Sequence, residues 1–190
     1  MKCKGYSPYI CHLHTVEVAG SNPASPTKGV LMSDRLKERL EKAVLLVIDV
    51  QNDFCHSDGG FGKRGLDLSY IQQAISNLIP FLEEARRANI PIIFVRTIHD
   101  EWTDSPTWKR RQEGRGMELC RAGSWGAEFY RIAPGPGERI VTKHRYSALI
   151  DTDLDLILRS LNIESLLLCG VATNVCVEST ARDAYMKDYQ

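Results

Sequence analysis

Hydrophobic residues along this chain fall into short unbroken runs that alternate with stretches of helical spacing. Ala43-Val44-Leu45-Leu46-Val47-Ile48 is apolar throughout and ends at Asp49. Such a run predicts a strand buried on both faces, as in a parallel sheet. Residues 91–96, 139–142 and 165–169 predict three more strands. Between the first two, Ile71, Ile75, Leu78, Leu82 and Ala85 recur every three or four positions, which predicts a helix over 70–89. Pro80 lies inside it and predicts a kink or a fresh start there. Asp151-Thr152-Asp153 is expected to cap a helix carrying Leu154, Ile157, Leu158 and Leu161. A last helix is expected from Asn174 to Lys187, and a short one after Ser33-Asp34.

Strands alternating with helices imply βαβ crossovers, hence an α/β fold: a three-layer αβα arrangement around a mainly parallel, doubly wound sheet. Four strands are few against a mean of ~5–6. The C-terminal strands are therefore expected to be lacking from a chain that stops at Gln190. Residues 99–137 break the alternation; they hold Trp102, Trp108, Trp125 and the tract Pro134-Gly135-Pro136-Gly137. Excursions of that length in a compact domain are usually functional or mobile. Residues 1–32 read differently again. Pro23 and Pro26 among small polar residues fit neither helix nor central strand, so this segment is expected to be a disordered or spurious tail, with Met32 as an alternative start. The domain proper is expected to span 33–190.

Composition narrows the class. The chain has 190 residues, 43% hydrophobic and 25% charged, which excludes wholesale disorder. Its 24 basic and 24 acidic residues balance, so no global charge favours nucleic acid or an anionic membrane, and the expected partner is a small molecule. No apolar run approaches the ~18–20 residues of a membrane span. The six cysteines show no C-x-x-C spacing, and Cys11-His12-Leu13-His14 is too tight for a zinc pattern. A reducing, cytoplasmic compartment is the expectation.

Ligands of open parallel sheets bind beyond the carboxyl ends of the strands. Asp49, Lys143 and Cys176 fall at or just past three such ends. Cys176, at the start of a helix and near Lys143, is expected to be a nucleophile whose thiolate both features favour. Asp49 is placed to take and return its proton. Plainer roles are open to each: a small core residue, a turn residue and a solvated cation.

Three blocks carry a resemblance: Asp49-Val50-Gln51-Asn52-Asp53-Phe54, Lys143-His144-Arg145-Tyr146-Ser147, and residues 170–184, Gly170-Val171-Ala172-Thr173-Asn174-Val175-Cys176 through Ala184. Together, in this order and spacing, they resemble the isochorismatase-like cysteine hydrolases over roughly residues 40–190. The resemblance implies a six-stranded parallel sheet, assembly as a homo-oligomer, and a catalytic triad of Asp49, Lys143 and Cys176. It also implies a cis peptide between Val171 and Ala172 and an oxyanion hole formed by the N–H groups of Ala172 and Cys176. Nicotinamidases of the family carry an Asp-x-His metal site with a further histidine. Here Thr97-Ile98-His99 stands in that region with no second histidine before His144, so no metal and no other cofactor is expected. The cysteine favours C–N hydrolysis over vinyl ether cleavage, and the blocks are most similar to ureidoacrylate- and carbamoyl-type amidohydrolases. Asn52, Phe54, Trp125, Tyr146 and Asn174 are candidate substrate contacts. The alternatives are an isochorismate-type vinyl ether hydrolase, a nicotinamidase, or a catalytically inactive interaction module.

Overall fold

The computed structural model describes residues 38–113 and 118–190. The expected tail, the alternative start at Met32 and the Ser33-Asp34 cap lie outside the described residues. The four apolar runs form parallel strands β1 (Ala43–Ile48), β2 (Ile92–Thr97), β3 (Arg139–Lys143) and β4 (Ser165–Gly170), in the order β3-β2-β1-β4. The helices are α1 (Asn52–Cys55), α2 (Gly60–Lys63), α3 (Ser69–Arg87), α4 (Pro106–Glu113), α5 (Leu154–Ser160) and α6 (Glu178–Tyr185).

Because side chains alternate across a strand, a run with no polar residue feeds two cores at once. On β1, Leu45 and Val47 join Phe94 and the α3 residues Ile71, Ile75, Leu78 and Leu82. Val44, Leu46 and Ile48 join Ile93, Val95 and Val141 with Leu154 and Leu158 of α5 and Ala184 of α6. The sheet is thus sandwiched between helices, which is the three-layer doubly wound arrangement. β1 is buried at every position, whereas β4 is half-buried over most of its length. On the outer edge of β4, Gln190 exchanges backbone hydrogen bonds with Glu164 and Leu166.

Three local expectations change. α3 runs through Pro80 as one element, because its apolar stripe packs on both sides of the proline and Pro80 itself faces solvent. There the carbonyl it leaves unbonded can turn to water. Asp153 makes no side-chain cap on α5; the Thr152 hydroxyl accepts from Leu154 N instead, at 3.2 Å. The last helix starts late: Thr173–Val177 forms a wide π-type turn, with Val177 N reaching Ala172 O at 3.4 Å, and α6 follows. The long excursion is pinned to the sheet by bridges pairing His99 with Arg121 and Gln51 with Phe129. Arg86, at the end of α3, grips Glu138 through two bonds of 2.7 and 2.9 Å and so anchors the approach to β3.

Candidate active site

The register of the sheet decides what meets at its carboxyl end. Ile48 is level with Val95 and Gly170, and Thr97 is level with Lys143. The residues just past Ile48 and Gly170 therefore face the last residues of β2 and β3 across one crevice. β1 leaves the sheet at Asp49, whose φ of 54° is a left-handed conformation that aspartate tolerates better than most residues. β4 ends at Gly170, with φ 134°, where a Cβ would lie 1.9 Å from Ile48 O. Only glycine fits so close an approach. The Val171–Ala172 peptide that follows is cis.

Asp49 and Lys143 are fully buried, and Cys176 nearly so. Lys143 Nζ lies 2.8 Å from Asp49 Oδ2. It donates to Thr97 Oγ1 at 2.6 Å and to Arg145 O at 3.1 Å. Cys176 is within hydrogen-bonding reach of both Asp49 and Lys143. Burial works against the Lys143 charge, but Asp49 and Cys176 outweigh it and hold its pKa above the ordinary value. The thiol departs from expectation. Burial first, then the Asp49 carboxylate, push Cys176 far up; Lys143 opposes them without prevailing. Burial beside a carboxylate thus works against the thiolate that a helix start and one cation favour.

Lys143 and Cys176 open onto a cavity of about 130 Å³, with Asp49 behind them. Lys143, Ala172 and Cys176 lie on its wall with Phe54 and Tyr146. Asn52, Trp125 and Asn174 do not line it. Asn52 is buried and donates to Trp125 O at 2.9 Å, so its amide fastens a loop. Trp125 is half-exposed and packs edge-on to His56, and Asn174 is exposed in the wide turn.

The lining also includes Thr97, His99, Trp108 and Arg145, none of which sequence reasoning nominated as site residues. Thr97 occupies the end of β2 just as Lys143 ends β3. The other three belong to one cluster. The His99 ring lies 5.0 Å from Trp108, Trp108 is 5.4 Å from Tyr146, and the Arg145 guanidinium stands 5.7 Å over the indole. His99 Nδ1 is 3.1 Å from Asp104, which Arg121 also engages. Burial holds the pKa of His99 down against the pull of Asp104.

The metal site of the nicotinamidase type does not fit these donors. The Thr97 hydroxyl is committed to Asp49 and Lys143, and the carboxylate nearest His99 is already paired with a guanidinium. Among the described residues no three His, Cys, Asp or Glu side chains converge on a metal position. No helix among them is long and apolar enough to cross a membrane.

Known proteins resemble this chain in both sequence and fold. The isochorismatase domain family model matches residues 43–190. A ureidoacrylate amidohydrolase, RutB, from Azorhizobium caulinodans is 33% identical over 169 residues, covering 81% of this chain and 74% of its own. A cysteine hydrolase from Pseudomonas syringae superposes with a TM-score of 0.69 at 27% identity, over 78% of this chain and 68% of that one. An N-carbamoylsarcosine amidase from Thermoplasma acidophilum superposes with a TM-score of 0.62 at 31% identity, over 78% and 76% of the two chains. With a parallel sheet whose carboxyl ends gather Asp49, Lys143 and Cys176, and a family match over most of its length, the chain belongs to the isochorismatase family.

Proposed function

We propose that this chain is a hydrolase of non-peptide C–N bonds that cleaves a small ureido, carbamoyl or simple amide compound through a thioester on Cys176. The observation that carries the reading is the buried contact of one thiol with one carboxylate and one ammonium on a cavity wall. The names of its relatives, ureidoacrylate amidohydrolase and N-carbamoylsarcosine amidase, support the bond type.

In this reading the Cys176 Sγ–H passes its proton to Asp49 as sulfur attacks the carbonyl carbon. A buried thiol whose ionised form is disfavoured needs such a base, and Asp49 is the carboxylate beside it. The oxyanion would be met by the N–H groups of Ala172 and Cys176, both on the cavity wall. Asp49 then gives the proton to the departing nitrogen, the C–N bond breaks, and ammonia or an amine leaves. Water adds to the thioester with Asp49 again accepting a proton, and the acid departs as the thiol re-forms. Lys143 stays charged throughout and holds Asp49 in place. The buried free cysteines Cys55, Cys120, Cys169 and Cys176 fit work in a reducing compartment such as the cytoplasm.

The test is ammonia release from a panel of ureido acids, carbamoyl amino acids, nicotinamide and biuret. Cys176→Ala should abolish turnover while leaving the circular dichroism spectrum unchanged. Turnover that survives the substitution overturns the nucleophile assignment and favours vinyl ether cleavage.

A further inference from the structure

We infer that Thr97 is a positioning residue that selects which oxygen of Asp49 accepts the thiol proton, and that the Gln51 side chain keeps it in that role. The inference rests on the Cys176 reading above and concerns a device inside the same site.

β1 departs at Asp49, while β2 continues two residues past the last paired row to Thr97. The side-chain amide of Gln51 pairs with the Thr97 backbone there. Gln51 Oε1 accepts from Thr97 N at 2.8 Å, and Nε2 donates to Thr97 O at 2.9 Å. This is the donor–acceptor pair that a neighbouring strand residue would offer. Nε2 also donates to Ala127 O at 2.7 Å, and Gln51 is fully buried. The Thr97 backbone is thus fixed from both of its polar groups.

The direction of each proton at the hydroxyl follows from valence. An ammonium has no lone pair, so Lys143 Nζ donates to Thr97 Oγ1, at 2.6 Å. The hydroxyl has one hydrogen, and it goes to Asp49 Oδ1, at 3.0 Å. Oδ1 is thereby engaged. Oδ2 meets Lys143 at 2.8 Å as an ion pair, outside the alignment of a hydrogen bond. Oδ2, which accepts no hydrogen bond, is thereby the oxygen more open to the proton of Cys176. Without the hydroxyl, the carboxylate is free to turn both oxygens toward the ammonium, and the orientation that distinguishes Oδ1 from Oδ2 is lost.

Thr97→Val removes the hydroxyl and nearly conserves volume; Thr97→Ser restores it. Two readouts are compared: kcat and KM on the best ureido or carbamoyl compound, and the pH dependence of Cys176 alkylation by iodoacetamide, followed by peptide mass spectrometry. For T97V, kcat should fall about 10- to 100-fold with KM within about 3-fold, as for a lost base orientation. The acid limb of alkylation should move to higher pH, because an ionised carboxylate that loses a donor holds its proton more tightly. T97S should stay within about 3-fold of wild type on both. Should T97V not fold, Thr97→Ala makes the same deletion with less bulk. An unmoved acid limb, or T97S as impaired as T97V, overturns the inference. Alkylation needs no substrate, so the role of Thr97 is read even if no compound in the panel is turned over, and that second result bears on the proposed function alone.

Discussion

Lys143→Met tests the electrostatics of the site most directly. The substitution keeps length and bulk but leaves the Asp49 carboxylate, fully buried, without the cation 2.8 Å away. Breaking a buried pair by removing one partner costs about 3–5 kcal/mol, since an uncompensated charge stays behind. Against a total stability of about 5–15 kcal/mol for a domain, that is a large fraction. At about 2–4 °C per kcal/mol for a chain of this size, the melting temperature should drop by about 6–20 °C. The double variant Asp49→Asn/Lys143→Met removes both charges and should recover much of the loss, because the desolvation cost of the pair goes with them. Urea unfolding of wild type, both single variants and the double variant supplies every quantity. A K143M midpoint equal to wild type, or a double variant less stable than either single one, would refute the ion-pair account.

Two further outcomes are expected. Burial holds His99 below its ordinary value of 6.5, so the unfolded chain protonates there first. The stability contributed by the neutral ring is present above pH 6.5 and lost below it; His99→Gln should flatten that slope in urea unfolding between pH 5 and 7.5, and an unchanged slope would exclude His99 as its source. Gly170→Ala forces a Cβ to within 1.9 Å of Ile48 O at a φ of 134°, and should cost at least about 2 kcal/mol in denaturant unfolding, where a wild-type midpoint would contradict the close approach.

The sheet was legible because each strand is built on a short apolar run, and Ala43–Ile48 admits no one-sided burial; the order β3-β2-β1-β4 was not, because apolar runs do not say which of them lie side by side. The positions of Asp49 and Lys143 were legible for the same reason, since each follows or ends such a run. Thr97 was not, because a threonine at a strand end has no chemical signature until its neighbours across the register are known. Gln51 was hidden more deeply: its role is to imitate a backbone, and no spacing rule marks that. His99, Trp108 and Arg145 come together only through the excursion after β2 and the loop after β3, whose path no periodicity specifies. The opposing pull on the Cys176 thiol was not legible, because helix and cation effects can be counted from sequence, whereas the depth of burial beside Asp49 cannot.

Asp53 carries a consequence of a different kind. One of its oxygens accepts from Gly60 N at 3.0 Å, the other from Cys120 N at 2.6 Å, and a Cβ on Gly126 would meet the carboxylate at 2.1 Å. Three segments that share no strand or helix, the start of α2, the loop at Cys120 and the short 3-10 turn at Gly126, thus converge on one side chain. Gly60 precedes Phe61, and Cys120 follows Leu119; both neighbours face the cavity. The two walls cannot be moved apart one at a time, because a residue that never reaches the substrate space sets the gap between them. Changes in what the enzyme admits should therefore come more easily through the Trp108 side of the cavity than through these coupled walls.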